Sequence, residues 1–467
     1  MKKYDAIVIG TGSAMIIVQG ILRMNPDARI AVIDKDTPGG ICLTRGCIPS
    51  KMVISVAEIV ADAERAGELG VDVEVRSVNF RKIMERMRKK IGGEVKQIEE
   101  ALKLHPNIDF YNDVASFVKP YTLKVSGMRI KSDRIFIGSG SRPLVPPIKG
   151  LKEAGYLTSD TFLKLEEMPE SMVVIGGGYI AVEYGNFLAR AGCDVKIVEM
   201  MPRILVNEEP EVSMAVQSEL SRHAEIYTSH KVVEVEKGGD GKTVVAVDAE
   251  GNKKEIEAQE ILVAAGRESN SDLLKPENAG IEVDEKGWIK VNEYLETSLK
   301  GVYAIGDANG RCMFRHVANR EAIVAFENAF RGRKIAMDYS CVPHAVFTQP
   351  EVASVGMREE EAIKKFGKEN VLVGYEEMRT TGKGLALNLD GFAKVIVHKN
   401  GDILGAHIVG KCASVLIQEV ATLMALKADY HAIFEGYHIH PALSEVVAWA
   451  FGNLMSVDSY HRMIGLL

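Results

Sequence analysis

The chain has 467 residues, 46% of them hydrophobic and 26% charged, and its net charge of −7 comes from 57 basic and 64 acidic residues. This length exceeds what one hydrophobic core usually holds, so two to four domains are expected. The mild acidity, without a block of like charge, gives no indication of nucleic-acid binding. No apolar run approaches the roughly 18 residues of a membrane-spanning helix.

The N-terminal segment has the pattern of a dinucleotide-binding unit. A first strand runs into the turn Gly10-Thr-Gly12, a helix follows, and a second strand at 28–33 ends in Asp34. In such units the pyrophosphate lies on the helix N-terminus and an acid about 20 residues on binds ribose hydroxyls. Met15 stands where a third glycine usually allows close packing of helix and strand, so this position departs from the fingerprint.

The segment 39–51 reads Gly-Gly-Ile-Cys-Leu-Thr-Arg-Gly-Cys-Ile-Pro-Ser-Lys and holds two cysteines, Cys42 and Cys47. Two close cysteines in a reducing compartment suggest redox chemistry or metal binding. One turn of helix would bring the sulfurs together, and Lys51 would favour the thiolate. A second ligand pair for zinc does not appear at the usual spacing, so redox catalysis is the interpretation and no metal site is expected.

A second dinucleotide unit begins with a strand at Ser171–Ile175. The turn Gly176-Gly-Gly178 follows it, with Ala181 at the accepted third position of the fingerprint. The next strand ends at Glu199, whose carboxylate would accept hydrogen bonds from a free ribose 2′-hydroxyl and repel a 2′-phosphate. This unit therefore favours NAD over NADP.

The character of the chain changes from about Ser340. Alternating strands are predicted at 391–398 and 403–409, followed by helical stretches and the segment His-Ile-His440-Pro-Ala-Leu-Ser-Glu445. The pKa of histidine lies near neutrality, so His440 is the candidate acid and base, and Glu445 is the candidate for orienting its ring.

Composition also bears on location. The sequence begins directly with its first strand, so no signal peptide is expected. The remaining cysteines are isolated in sequence and predict a reducing, cytoplasmic compartment; they are Cys193, Cys312, Cys341 and Cys412.

The segment 39–51 resembles the redox-active disulfide of the flavoprotein disulfide reductases, which reads Gly-Gly-Thr-Cys-Leu-Asn-Val-Gly-Cys-Ile-Pro-Ser-Lys. The chain departs from it at Ile41, Thr44 and Arg45 but keeps both sulfurs and the lysine. Arg45 adds a positive charge that is expected to lower a thiol pKa further. The resemblance extends over essentially the whole chain and is greatest to the dihydrolipoamide dehydrogenases.

The resemblance implies FAD at the first unit and NAD at the second. Segments 135–143 and 297–310 resemble the motifs that complete the FAD site of the family. The implied FAD positions are Gly10, Gly12, Asp34, Lys51, Ala115, Gly138, Ser139, Gly140, Gly306, Asp307 and Arg315. The implied NAD positions are Gly176, Gly178, Tyr179, Ala181, Glu183, Glu199 and Gly266.

The resemblance also implies the architecture. Lys51 and Glu183 would form an ion pair beside the flavin, and His440 would reach the disulfide of a second subunit, which makes the protein a homodimer. The expected fold class is α/β, with two Rossmann-like dinucleotide-binding domains and a C-terminal α+β dimerisation domain. The expected bounds are 1–145 and 270–335 for the FAD domain, 146–269 for the NAD domain and 336–467 for the dimerisation domain.

The implied reaction is the oxidation of dihydrolipoamide by NAD through the cysteine pair and FAD, with the dithiol carried on a lipoyl domain of an acyltransferase complex. A reductase of a low-molecular-weight disulfide, of the glutathione or mycothione type, is the alternative, and Tyr179 points toward it. A non-catalytic FAD-binding assembly subunit is a third interpretation. Mercuric reductase would need a second cysteine pair near the carboxyl end, and no cysteine follows Cys412.

Overall fold

A five-stranded parallel sheet carries the first glycine turn. The structure is a computed structural model that describes residues 1–239 and 241–465. Every side chain of the strands Ala6–Ile9 and Ile30–Ile33 in this sheet is buried. Strands covered on both faces read as continuous apolar runs, as these two do. In order across the sheet the strands are Val302–Ala304, Ile135–Ile137, Ala6–Ile9, Ile30–Ile33 and Ile108–Tyr111.

The helices Met15–Met24 and Arg315–Arg331 cover one face of this sheet together with the end of the helix Phe80–Leu104. The first two helices approach closely at Gly20, where a Cβ atom would lie 3.0 Å from the ring of Phe326. Met15 begins its helix half-buried against the same core, so the fold accommodates it in place of the third glycine.

The second glycine turn lies on another five-stranded parallel sheet. Its strands, in order, are Leu157–Thr158, Glu260–Val263, Ser171–Ile175, Asp194–Val198 and Glu225–Tyr227. The helices Tyr179–Arg190 and Pro210–Leu220 belong to this unit. An antiparallel sheet of Lys231–Gly238, Gly241–Val247 and Lys253–Ala258 packs beside it.

The C-terminal part forms a six-stranded antiparallel sheet. In order its strands are His344–Val346, Val352–Gly356, Ile403–Gly410, Gly391–His398, Val371–Glu377 and Met455–Ser456. Its helices are Glu359–Phe366, Ala413–Ala425, Glu445–Gly452 and Val457–Met463.

The remaining elements are short. Lys2–Lys3, Met128–Lys131, Thr122–Val125 and Ser116–Lys119 form a four-stranded sheet, and Ser141–Pro143 pairs with Arg267–Ser269. The other helices are Gly40–Thr44, Cys47–Ile54, Val56–Arg65, Leu151–Ala154, Ser159–Phe162, Ser271–Leu274 and Gly382–Ala386. The 3₁₀ turns are Ala66–Leu69, Pro276–Ala279, Gly306–Ala308, Lys368–Asn370, Met378–Thr380 and Tyr430–Glu435.

The predicted fold class is confirmed: two Rossmann-like units are followed by an α+β unit. The strand Val302–Ala304 pairs in parallel with Ile135–Ile137, so the chain returns to the first sheet after building the second. Among the residues described, no helix combines the length and apolarity needed to cross a bilayer.

Candidate active site

The first glycine turn is fixed by close backbone contact. Gly10 has a φ of +99°, and a Cβ atom there would lie 2.1 Å from the carbonyl oxygen of Gly138. Asp34, at the end of the next strand, accepts hydrogen bonds from the backbone N–H of Thr11 at 2.8 Å and from its hydroxyl at 2.5 Å. Asp34, the acid expected to bind the ribose, therefore also fixes the turn Gly10-Thr-Gly12.

The second turn repeats this arrangement. Gly176 has a φ of +114°, and a Cβ atom there would lie 2.5 Å from the carbonyl oxygen of Ala264. Glu199 accepts hydrogen bonds from the N–H groups of Gly177 at 2.5 Å and Met201 at 2.7 Å. Gly177, which the fingerprint leaves unspecified, therefore has a structural role, since a side chain there would collide with Glu199.

The cysteine pair spans a break between two helices. Cys42 lies within the helix Gly40–Thr44, and Cys47 begins the helix Cys47–Ile54. The single helical turn predicted for this segment is therefore wrong. A Cβ atom on Gly46 would lie only 2.9 Å from a carbonyl oxygen of the first helix, so glycine at the break allows the two helices to meet.

The two thiols, both free in this structure, differ in proton affinity. A hydrogen bond from the Cys42 thiol, together with the Lys51 and Arg315 cations, lowers the pKa of Cys47 to about 6. The same contact with Cys47, together with burial, raises the pKa of Cys42. A helix N-terminus also favours a thiolate. At neutral pH, therefore, Cys47 is the thiolate of the reduced pair and Cys42 keeps its proton.

Arg45 does not have the effect on the thiols that was expected from its position. Its guanidinium donates to the carboxylates of Asp36 at 2.6 Å and Asp160 at 2.9 Å, which neutralise its charge. The second cation that acts on the thiols is Arg315, from a segment far away in sequence.

Alkylation of the reduced protein by iodoacetamide will report the low pKa of Cys47. Because that pKa is lowered to about 6, the thiolate predominates above pH 6 and is lost as the pH falls. We expect the Cys47 rate constant to be half-maximal near this pH and to fall about tenfold per unit below it. Mass spectrometry of the peptides measures the rates. Exposed Cys412, whose pKa burial raises, is the internal control and should react only at alkaline pH; coincident profiles would contradict the assignment.

An ion pair connects the cysteine segment to the second nucleotide unit. Lys51 Nζ donates to Glu183 Oε2 at 2.8 Å, and Glu183 Oε1 accepts from the N–H of Phe347 at 3.0 Å. The Lys51 ammonium also lies 4.8 Å from the centre of the Phe347 ring. Glu183 is only 6% exposed. Burying the Glu183 carboxylate is costly, which favours a functional role for the ion pair over a stabilising one.

A continuous cavity of about 1890 Å³ joins the two glycine turns and passes the cysteine pair. Both cysteines line it, as do all the predicted nucleotide-site residues except Ala181. Ala181 is fully buried in the helix Tyr179–Arg190, where its small side chain permits close packing.

Two polar groups line the cavity just beyond the ends of the strands Ile135–Ile137 and Val302–Ala304. Asp307 accepts a hydrogen bond from the Ser141 hydroxyl at 2.5 Å and lies 3.8 Å from the Arg267 guanidinium. The Ser139 hydroxyl is buried and has no hydrogen-bond partner among the described residues. A buried hydroxyl of this kind at a cavity wall fits a polar ligand.

Glu321 is a site-building residue that the sequence reasoning missed. It is fully buried and accepts hydrogen bonds from the N–H of Gly306 at 2.5 Å, the Tyr339 hydroxyl at 2.5 Å and the Asn309 amide at 3.1 Å. It therefore fixes the turn that carries Asp307. The sequence signal was a single acid on the apolar stripe of the helix Arg315–Arg331.

His440 and Glu445 lie together but outside the cavity. His440 Nδ1 donates to Glu445 Oε1 at 2.9 Å, and Glu445 Oε2 accepts from the N–H of Ala442 at 3.0 Å. The hydrogen bond from Ala442 and that from His440 lower the pKa of Glu445. The His440 side chain is 71% exposed, and its Nε2 atom has no hydrogen-bond partner among the described residues, so the ring is oriented as a base that is open to solvent in the single chain.

Two family comparisons decide the classification. Residues 4–322 match the family described as pyridine nucleotide-disulphide oxidoreductase, and residues 342–451 match its dimerisation domain. The chain belongs to this family. The second match supports a homodimer, in keeping with the exposure of His440.

Relatives within the family differ in their named activities. A dihydrolipoyl dehydrogenase of Chlamydia pneumoniae is 31% identical over 98% of both chains. A mycothione reductase of Mycobacterium tuberculosis is 33% identical over 96% of this chain and 98% of that protein. Among solved structures, the HOCl-induced flavoprotein disulfide reductase RclA of Escherichia coli superposes with a TM-score of 0.85 at 26% identity, covering 96% of this chain and 99% of that one.

FAD and NAD(P)H are the cofactors of this family. The residues present fit both groups. Both glycine turns line the cavity at the start of a helix, an acid follows each turn, and the buried Ser139 hydroxyl has no hydrogen-bond partner among the described residues.

Proposed function

We propose that the protein is an NAD-dependent dihydrolipoamide dehydrogenase, catalysing dihydrolipoamide + NAD⁺ → lipoamide + NADH + H⁺. The observation that carries the proposal is the setting of Glu199, whose carboxylate is held at the second turn by two backbone N–H groups. A carboxylate fixed there accepts hydrogen bonds from ribose hydroxyls and repels a 2′-phosphate. NAD is the nicotinamide that this favours, and dihydrolipoyl dehydrogenases are among the relatives that match nearly the whole chain.

The nearby Arg203 strengthens the preference for NAD. Its guanidinium donates to the carbonyl oxygens of Glu208 at 2.9 Å and Val206 at 3.1 Å. It is thus committed to its own loop rather than directed toward a ribose phosphate. The residues that follow Glu199 are the apolar Met200 and Met201, which line the same part of the cavity.

The cysteine pair supports a definite order of thiol chemistry. One sulfur of the dithiol attacks Cys42, the Cys42–Cys47 bond breaks, and Cys47 leaves as a thiolate. Cys47, with its lowered pKa, is the better leaving group. The second substrate sulfur then displaces Cys42, which takes up a proton, and the cyclic disulfide is released. FAD, when bound, carries the two electrons from the cysteine pair to NAD⁺.

The partner subunit's His440 is proposed to take the proton of the attacking dithiol. The surface around His440 supports this geometry, because large apolar side chains there are exposed in the single chain. Tyr437 is fully exposed, Ile439 is 77% exposed and Phe434 is 50% exposed. A patch of this kind is typical of an interface. We propose that a second copy covers it and that each active site needs both subunits.

The proposal extends to the setting of the reaction. A lipoyl domain of an acyltransferase complex would present the dithiol, and the compartment would be the cytoplasm. FAD would occupy the side of the cavity formed by Gly10, Asp34, Ser139 and Asp307, and NAD the side formed by Gly176 and Glu199.

Reduction of a low-molecular-weight disulfide is the second candidate. Two observations favour it: the 33% identity to a mycothione reductase, and the aromatic ring of Tyr179 at the nicotinamide side of the cavity. The third interpretation, a non-catalytic FAD-binding subunit, predicts no turnover with any thiol or disulfide.

Steady-state rates with a panel of substrates test the proposal. Dihydrolipoamide, mycothione disulfide and glutathione disulfide are each assayed with both nicotinamides. We expect kcat/KM to be highest for dihydrolipoamide with NAD⁺. A higher value for a disulfide with NADPH would replace the proposal by the second candidate, and NADH reduction of a dye without any thiol or disulfide turnover would favour the third.

A further inference from the structure

A buried carboxylate lies directly behind the cavity wall beside the second glycine turn. Glu208 is 1% exposed. Its Oε1 atom accepts hydrogen bonds from the Tyr179 hydroxyl and from His344 Nε2, each at 2.7 Å. Its Oε2 atom accepts from the Ser354 hydroxyl, also at 2.7 Å. Three donors on one buried carboxylate define its position.

Two of these donors belong to a stack of rings that faces the cavity. The Tyr179 ring stacks on His344 with centroids 5.7 Å apart, and His344 stacks on Phe314 at 5.6 Å. All three rings line the cavity, whereas Glu208 does not. Tyr179 directly follows the turn at Gly178, and Phe314 directly precedes Arg315, whose cation acts on the thiols. The stack therefore lines the cavity from the second glycine turn toward the cysteine pair, the direction in which the nicotinamide end of a dinucleotide must extend to exchange a hydride.

The charge of Glu208 is maintained despite its burial. Burial alone would raise its pKa, but His344 and the two hydroxyl donors lower that pKa to about 2. Burial, together with the Glu208 charge, raises the pKa of Tyr179, so its phenol keeps the proton that it donates. The contact is therefore a charge-assisted hydrogen bond at neutral pH.

The contact joins two units of the fold. Tyr179 begins the helix Tyr179–Arg190, and Glu208 precedes the helix Pro210–Leu220 of the same unit. His344 and Ser354 lie on strands of the C-terminal sheet. The orientation of the Tyr179 ring is therefore set by a carboxylate that the C-terminal sheet itself holds.

We propose that Glu208, supported by His344, is a positioning residue for the nicotinamide half-reaction, and that it holds the Tyr179 ring in the orientation that receives the nicotinamide. Without the hydrogen bond to Glu208 the Tyr179 ring would be mobile, and NADH binding would have to fix its orientation. Ordering one side chain on binding weakens affinity by about 2- to 12-fold. The inference concerns NADH alone and does not depend on which dithiol or disulfide is the substrate.

A double-mutant cycle between Glu208→Gln and Tyr179→Phe tests the proposal, with NADH reduction of a dye as the assay. Each single variant should raise KM for NADH by about 2- to 12-fold, with a smaller effect on kcat. The double variant should be no worse than the poorer single variant, because Glu208→Gln removes the charge that strengthens the same hydrogen bond that Tyr179→Phe removes. Unchanged KM values, or effects that multiply in the double variant, would overturn the proposal.

Glu209→Gln is the matched control. Glu209 is the adjacent buried acid, but it faces Lys394 at 3.2 Å, away from the cavity. Lys394 keeps Glu211 and Glu359 as partners, so this variant should fold and lower thermal stability without changing KM for NADH. If Glu208→Gln does not fold, His344→Phe takes its place. This variant keeps an aromatic ring in the stack but removes the hydrogen bond from His344 to Glu208. It is combined with Tyr179→Phe and judged by the same changes in KM for NADH. If the protein proved not to oxidise dihydrolipoamide, the effect of these variants on KM for NADH in dye reduction would still test the proposal.

Discussion

Replacing Cys42 or Cys47 by serine will abolish oxidation of dihydrolipoamide while leaving NADH reduction of a dye largely intact. Neither serine can form the disulfide that accepts electrons from the dithiol, so the rate should fall to background. FAD binding should survive, because the cavity around the first turn is built by glycine backbone, Asp34 and Asp307 rather than by sulfur. The measurements are dithiol-dependent NADH formation, dye reduction and the bound flavin content.

Cys412→Ser is the control for this pair of variants. Cys412 is an exposed thiol outside the cavity, so its loss should change neither assay. Appreciable dithiol oxidation by the Cys42→Ser or Cys47→Ser protein would show that the pair is not the electron acceptor. Loss of flavin from either variant would instead show that the segment builds the FAD site.

Features set by local sequence were predictable. The turns at Gly10 and Gly176 need glycine because their φ values are positive and another backbone lies within 2.1–2.5 Å of where a Cβ atom would be. That constraint leaves a mark in the sequence itself. The strand Gly391–His398 was predicted with its observed bounds, because an apolar run between turn residues specifies it.

Features set by contacts in the folded chain were not predictable. Arg45 was expected to act on the cysteines, yet Asp36 and Asp160 bind its guanidinium. Glu321 and Glu208 looked like ordinary acids, although each receives three hydrogen bonds in the fold. A single sequence carries no sign of which partner a side chain binds, whether that partner is close in sequence, as Asp36 is to Arg45, or far away, as Asp160 is.

The break within the cysteine segment and the domain bounds show a further limit. Spacing alone allowed one helical turn between the cysteines, whereas the break at Gly46 depends on a close approach to the preceding helix. The proposed boundaries at 145, 269 and 335 stay predictions, because strand pairing establishes which segments share a sheet but not where one domain ends.

His440→Gln will slow dithiol oxidation by about 10²- to 10⁴-fold, the usual contribution of general acid–base catalysis. Dye reduction by NADH should stay near normal, because His440 lies outside the cavity. Glu445→Gln should give a smaller loss in the same assay. Glu445 orients the His440 ring through a 2.9 Å hydrogen bond but carries no proton itself. Equal losses in both assays would mean that the histidine supports the fold rather than the dithiol step.

A heterodimer distinguishes a base that acts within one chain from a base supplied by the partner. His440 is 71% exposed and does not line the cavity that holds its own cysteines, so we expect it to serve the other subunit. A dimer of one Cys42→Ser subunit and one His440→Gln subunit would then contain one intact site, with the cysteines of the second subunit facing the histidine of the first. Differently tagged subunits, purified as verified heterodimers, should recover about half of the native rate, whereas each parent homodimer stays slow. Heterodimers without recovered activity would place Cys42 and His440 in the same subunit's site and would require the exposed His440 segment to fold back over its own chain.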